Sequence, residues 1–503
     1  MPIAIPALAW PPVVPMLIVT GTSFVCLLLD LLPSPRGKGH LAAVCVLGLG
    51  GALVTSAILW GGPATAFQQM IVLDDFALFF NAIFCVTAAL VLLLSVGYLQ
   101  RQGVEAGEYY VLVLFAAVGM MVMASAVDLL VIFLGLELMS LSLYVLAGFF
   151  RTRATGNESA MKYFLLGAFA SGFFLYGIAL LYGATGTTNL GRLGAVLRAS
   201  GAGPEPLVLA GLALLLVGFG FKASAVPFHQ WAPDVYEGAP TAVAALIATG
   251  SKAAAFAALL RVLVTMRPLQ PDWVTLLWLI AALTMTVGNV VALVQQNLKR
   301  MLAYSSIAHV GYMLVGVTAG LELGSAAVLY YLVVYSFATV GAFGVILLVE
   351  REGPEGSGAP EAAGRRHRDQ MPEEAVDLAS YGGLAARYPI LALVLTVCLL
   401  SLIGLPPTAG FVGKFYLFSA AIRGGFVWLA VIAVLNAVVA AYYYLRLIVY
   451  MYMRDPETGG VRVALTPAAG IALALAVWAT FHLGLLPGSV FAFAQRAIAP
   501  LLL

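Results

Sequence analysis

Charge is scarce in this sequence. Only 10% of its 503 residues are Asp, Glu, Lys or Arg, against about 25% in soluble domains. With 62% hydrophobic residues and a mean hydropathy of +1.01, this excludes a water-soluble globular fold. Cysteine is scarcer still. Cys26, Cys45, Cys85 and Cys398 stand far apart and form no CxxC, so neither an iron–sulfur cluster nor a zinc ribbon is supported. No GxGxxG or Walker sequence occurs in a strand-to-helix setting. The chain is therefore expected to carry no redox centre, bind no metal or cofactor and hydrolyse no nucleotide. The opening MPIAIPALAW has no basic stretch and no cleavage site, so its apolar segment reads as a retained helix rather than a signal peptide.

Long apolar runs are what the sequence has in abundance. At about 20 residues per span, they predict fourteen membrane helices, near 10–33, 41–60, 75–99, 109–125, 128–150, 159–183, 206–232, 239–266, 273–295, 301–320, 325–349, 387–422, 426–453 and 466–494. The expected fold is an all-α polytopic membrane protein in a lipid bilayer. Numbering the connections alternately places fourteen Lys and Arg residues, including Arg36, Lys38, Arg101, Arg151, Arg153, Lys299, Arg300, Arg351, Arg365, Arg366 and Arg368, on one side. The other side has five: Arg192, Arg198, Arg267, Arg423 and Arg496. That asymmetry makes the first side cytoplasmic and puts both termini outside the cytoplasm. The hydrophilic insert from Arg351 to Ala386, rich in Gly, Pro and charge, reads as a mobile, solvated cytoplasmic loop.

Against this background a charge inside a span is informative, because it costs about 2.5–3.5 kcal/mol at the middle of a helix on insertion scales. Of the six lysines, four lie within spans: Lys162, Lys222, Lys252 and Lys414. Lys252 sits in the middle of AVAALIATGSKAAAFAALL, too deep to snorkel. Lys162, four residues into its span, is placed for either snorkelling or function. Lys222 precedes Pro227, which has no N–H for the Ala223 carbonyl and should break the helix there. Pro406 and Pro407 similarly deprive the Leu402 and Ile403 carbonyls ahead of Lys414. Broken helices at membrane depth are tolerated where they line protein or a wet cavity, and they recur at transporter ion sites.

Glu137 lies about 13 Å deeper than Asp128 along a helix of 1.5 Å rise. Asp128 itself is accounted for by the helix terminus. Burial disfavours a charged lysine and a nearby carboxylate favours it, so moving Glu137 relative to Lys222 would drive proton uptake and release; a structural ion pair is the other account. His229, in PFHQW, suits a proton relay or a structural bond to the backbone exposed at the helix break, and His309, beside Ser305, Ser306 and Tyr312, suits a proton relay or an interhelical hydrogen bond.

The stretches GLELMSLSLYVLAGF, ESAMKYFLLGAFASGFFLYGIALLYG, FKASAVPFHQWAPDVYEGAPT, QQNLKRMLAYSSIAHVGYML and GLPPTAGFVGKFYLF resemble the proton-translocating antiporter-like (Mrp-related) family. Within it they are most similar to the N-type subunits of bacterial NADH:quinone oxidoreductase, respiratory complex I. The resemblance runs from about Tyr109 to Arg454. It implies fourteen helices, inverted five-helix repeats at helices 4 to 8 and 9 to 13, and broken helices 7 and 12. The expected divisions are 1–108, a first repeat 109–268, a second repeat 269–455 with loop 351–386, and a C-terminal helix 456–503. The resemblance makes Glu137, Lys222, Lys252 and Lys414 proton-transfer residues, with Lys162, His229 and His309 accessory.

Lys414 argues against an M-type subunit, and the chain's end after helix 14 against an L-type one. NAD, FMN, iron–sulfur clusters and quinone are then expected in partner subunits. The partners would be K-like and M-like neighbours and the lateral helix of an L-like subunit, in the bacterial inner membrane, with no nucleic acid. An Mrp-type antiporter subunit, a subunit of an ion-pumping hydrogenase and a structural scaffold are the alternatives.

Overall fold

The computed structural model describes residues 10–32, 38–104, 106–199, 205–320, 322–351, 373–456 and 461–502. Arg36, Arg365, Arg366 and Arg368, on which part of the charge asymmetry rests, lie outside the described residues. Among the described residues thirteen helices are long and apolar enough to cross a membrane.

The first two spans are α1 (Val14–Asp30) and α2 (Gly39–Ile58). A small hairpin, β1 (Ala64–Ala66) with β2 (Ile71–Leu73), follows. Next come α3 (Asp75–Arg101), α4 (Gly107–Ser125), α5 (Leu129–Ala147), α6 (Ala154–Thr185) and a short helix, α7 (Leu190–Ala199). Asp128 caps α5, accepting the Leu130 N–H at 2.9 Å, which is the helix-end role expected of it. Helices α4 and α5 pack at close range because Gly119 meets the next backbone: a Cβ there would lie 2.5 Å from the Met139 nitrogen.

The seventh span is broken, as Pro227 requires. Helix α8 (Pro206–Ala223) ends at Ser224, which adopts a left-handed φ of 66°, and α9 (Trp231–Gly238) resumes beyond Pro227. Trp231 Nε1 donates to the Phe221 carbonyl at 2.9 Å, and the Val226 N–H donates to Thr284 Oγ1 at 3.0 Å. Side chains thus satisfy groups at the break, as a low-dielectric setting demands. The eighth span joins α10 (Thr241–Leu246) to α11 (Lys252–Thr265) through a π-helical turn, Ile247–Ser251, that sequence reading did not foresee. Then come α12 (Gln270–Ala292), α13 (Leu298–Thr318), α14 (Leu323–Leu348) and strand β3 (Val349–Arg351).

After the short α15 (Leu384–Arg387), the twelfth expected span is present as two pieces, α16 (Pro389–Ile403) and α17 (Ala409–Arg423), with Gly404 at φ 89° ending the first. The last elements are α18 (Val427–Met453), β4 (Val461–Val463), α19 (Pro467–Leu485) and α20 (Pro487–Leu502). The final span was expected to run to 494. It stops at Leu485 because Pro487 pushes Leu486 out of helical geometry, and α20 is a separate helix.

The centre of the bundle is defined by burial. The α10–α11 span is buried throughout, α13 and α14 nearly so, whereas α2, α6 and α12 are one-third buried and form the periphery. The insert corrects another expectation. Residues 352–372 lie outside the described residues, but from Glu373 onward the chain is folded onto the bundle rather than solvated. Ala375 N–H donates to the Val349 carbonyl at 2.9 Å, and Leu298 N–H donates to the Val376 carbonyl at 2.7 Å. Composition averaged over the insert concealed this structured end.

Candidate functional site

Lys222, in the last turn of α8, is 2% exposed. Its Nζ donates to Ser140 Oγ of α5 at 2.7 Å and lies 3.4 Å from Tyr163 OH of α6. Ser140 Oγ in turn donates to the Leu136 carbonyl at 2.5 Å. Glu137, one turn earlier on α5, is half-buried and accepts a hydrogen bond from Ser171 Oγ. Ser140, Ser171 and Lys222 line one narrow cavity of about 10 Å³, at the threshold for a single water molecule. The carboxylate and the amine are therefore joined through hydroxyls and this cavity rather than as a direct ion pair.

Lys252 is fully buried at the foot of the π-helical turn. Its Nζ donates to Ser306 Oγ of α13 at 2.5 Å, and the same oxygen accepts from Tyr335 OH at 2.7 Å. Tyr236 OH lies 3.4 Å from Ser306 Oγ, with Lys252 Nζ 5.8 Å from the Tyr236 ring centre. Tyr163, Trp231 and Tyr236 make an aromatic wall between the two lysine clusters, Tyr163 stacking on Trp231 at 4.5 Å and Trp231 meeting Tyr236 edge-on at 6.4 Å.

His309, one turn along α13 from Ser305 and Ser306, continues the series. Its Nδ1 is 2.6 Å from Tyr331 OH and its Nε2 3.3 Å from Tyr444 OH, and Tyr444 also bonds Ser305. Tyr312 packs edge-on against the His309 ring and carries Lys414 Nζ 4.7 Å from its centre. Lys414 is 5% exposed and donates to the Leu402 and Ile403 carbonyls at 3.0 and 2.8 Å, the two acceptors that Pro406 and Pro407 leave without amide donors. Among the described residues the partners of all three lysines are hydroxyls, carbonyls and aromatic faces rather than carboxylates. Hydroxyls both donate and accept, so the series can pass protons as well as hold them.

Two expected residues stand apart. Lys162 is half-buried and paired at 2.7 Å with both Glu158 and Asp234, while Arg300 reaches Asp234 at 2.8 Å and Glu237 at 2.6 Å. His229 lies in the break between α8 and α9, half-buried, with a buried Nδ1 that has no hydrogen-bond partner among the described residues; it is bonded to neither lysine.

Sequence reading missed two charged clusters. Arg261 of α11 forms a bidentate pair with Asp74, the residue that caps α3, at 2.9 and 2.7 Å, and its Nε donates to the Ala124 carbonyl at 2.5 Å. Its i+9 spacing from Lys252 within one apolar run was the available signal. Glu374, in the insert, is buried and accepts from Tyr98 OH, from Thr241 Oγ1 at 2.5 Å and from Lys299 Nζ at 3.5 Å. Burial pushes its carboxyl up, but the Lys299 charge, the Thr241 and Tyr98 hydrogen bonds and the Arg153 charge outweigh that and hold it below the usual carboxylate range.

These observations define a class: a multi-pass, all-helical membrane protein with ionisable and hydroxyl side chains strung through its buried centre. The chain belongs to the NADH:quinone oxidoreductase/Mrp antiporter transmembrane family, whose model matches residues 126–440. A relative from Trichlorobacter lovleyi, named NADH-quinone oxidoreductase subunit N, is 46% identical over 97% of this chain and 96% of its own length. A chain of respiratory complex I from Thermus thermophilus, solved with bound aureothin, superposes with a TM-score of 0.77 at 38% identity, covering 95% of this chain and 98% of that one. A chain of the Mrp complex from Dietzia shares the fold, with a TM-score of 0.79 at 21% identity over 98% of both chains.

Proposed function

We propose that this chain is the N-type membrane subunit of a proton-translocating NADH:quinone oxidoreductase and moves protons from cytoplasm to periplasm without handling electrons. The observation that carries this reading is the buried series from Lys222 to Lys414, in which amines meet hydroxyls, carbonyls and aromatic faces instead of neutralising carboxylates, with the His309 imidazole between the last two lysines bonded to tyrosine hydroxyls. Glu137 tunes Lys222 through Ser171, which bonds the carboxylate and lines the small cavity beside Lys222. Lys222 exchanges its proton with Lys252 past the Tyr163–Trp231–Tyr236 wall through water, and Ser306, Tyr335 and His309 lead on to Lys414, the exit residue; His229, at the first break and bonded to neither lysine, is accessory. Lys162 holds Asp234 near the first break and is accessory.

Redox chemistry belongs to partner subunits, which would carry NAD, FMN, iron–sulfur clusters and quinone, and the driving change reaches this chain from them. Its neighbours are K-like and M-like subunits and the lateral helix of an L-like subunit, in the bacterial inner membrane with both termini periplasmic. The breaks at α8–α9 and α16–α17 support two inverted repeats, 109–268 and 269–455, flanked by 1–108 and 456–503.

The test is proton pumping alongside quinone reduction in membranes carrying Lys222→Ala, with assembly followed on a native gel. Loss of both activities in an assembled complex is the expected result. Full pumping at normal turnover would make Lys222 structural, and a failure to assemble would favour a scaffold.

A further inference from the structure

A polar cavity of about 600 Å³ lies at the end of the bundle that holds Arg153, Lys299 and Arg351, lined also by Thr155, Glu237 and Glu374. Three elements each place one polar side chain at this cavity or its floor and another at Lys252. On α13 they are Lys299, 3.5 Å from Glu374, and Ser306, which accepts from Lys252. These two are seven residues apart, on one helix face and about 10 Å along the axis. On α9 they are Glu237, in the lining, and Tyr236, whose hydroxyl lies 3.4 Å from Ser306 Oγ. The α10–α11 span begins at Thr241, hydrogen-bonded to Glu374, and reaches Lys252 itself.

We infer that this cavity is the entrance through which protons reach Lys252, with the buried Glu374–Lys299 pair as the first internal stop. The assignment rests on the proton-transfer reading above and adds to it a mouth, a side of the membrane and two residues. The Lys299 ammonium releases a proton inward toward Ser306 and Lys252 and takes another from cavity water, while Glu374 stays ionised beside it and draws the proton in, so no other reactant is consumed. The distance along α13 corresponds to about three or four hydrogen-bonded waters at 2.8 Å spacing.

Vesicles containing the complete complex test this in both orientations. Thr155→Cys, at the cavity lining, is labelled with a bulky membrane-impermeant maleimide, and pumping is compared with that of the same variant before labelling. Label applied to the cytoplasmic face should lower pumping about tenfold, the lower end of what a charged cleft contributes to delivery, and label at the periplasmic face should have no effect. Glu374→Gln, which keeps hydrogen bonding to Thr241 and Tyr98, should lower pumping similarly, and Glu374→Asp should restore part of it. Lys252→Ala is run in parallel. If it abolishes pumping while complete labelling and Glu374→Gln leave pumping unchanged, the entrance is wrong and the proton-transfer reading survives. If Lys252→Ala also pumps normally, that reading fails first. Labelling only from the periplasmic face overturns the assigned side.

Discussion

Removing Arg261 should destabilise this subunit more than most single substitutions. Arg261 is 4% exposed and Asp74 7%, so Arg261→Met leaves a buried carboxylate that, among the described residues, holds only its cap bond from the Ala77 N–H at 2.8 Å. Counting the three lost bonds singly, at about 1.5–3 kcal/mol each, gives about 5–9 kcal/mol. Measured losses for breaking a buried pair are about 3–5 kcal/mol, and the lower figure is preferred here because the cap still stabilises Asp74 and water can enter the space that the guanidinium vacates. At 1.4 kcal/mol per decade this is a shift of roughly a hundredfold or more in the folding equilibrium.

Asp74→Asn combined with Arg261→Met removes the stranded charge and should recover part of the loss. Heating the detergent-solubilised complex and following release of this subunit on native gels gives three midpoints, expected in the order wild type, double variant, Arg261→Met. Release of Arg261→Met at the wild-type temperature, or of the double variant below the single, would refute the reasoning.

Lys414→Met should weaken the second break, since two carbonyls then lose a donor at about 1–3 kcal/mol each. Lys414→Arg should assemble nearly normally but pump poorly, because arginine keeps its proton; pumping at the wild-type rate would reduce Lys414 to a cap. Glu374 makes a pH-dependent contribution of known sign. Its folded carboxyl lies below the usual range, so its contribution is complete above the unfolded value of about 4.3 and is lost as the pH falls through the folded one. Acid release profiles of wild type and Glu374→Gln should therefore converge below about pH 4, and parallel profiles would show that Glu374 does not titrate in that window.

The helical architecture was legible because apolar run length and the chemistry of proline are local properties. Pro406 and Pro407 identified the two orphaned carbonyls in advance, although nothing local said that Lys414 would satisfy them. Lys222 and Lys252 were legible as anomalies, but not Tyr163, Tyr335 or Tyr444, since tyrosine is at home in any membrane helix and its hydroxyl partners are set by helices distant in sequence. Tyr331 and Tyr335 do share one face at i+4 spacing in an otherwise apolar span, a pattern worth reading. Arg261 was not legible as a buried charge because it lies near the end of its apolar run, where an arginine ordinarily reaches the membrane surface. Glu374 was hidden by its neighbours: composition describes the average behaviour of an insert, whereas one buried carboxylate depends on its own three partners. The π-helical turn left no mark at all, as every residue of IATGS is acceptable in an α-helix.

That turn lets helical winding, rather than side-chain chemistry, aim a functional group. Five residues, Ile247–Ser251, occupy a turn with one residue more than the α-helical repeat, and each helical residue turns the chain by about 100°. Rewinding those five residues as α-helix, with none removed, would swing Lys252 by about that angle relative to α10, away from Ser306, with every buried side chain chemically unaltered, whereas deleting one of them would close the span into continuous α-helix and leave Lys252 facing as it does. The same geometry in miniature, a local slip between π and α winding, would connect and disconnect the lysine without moving the helix as a body.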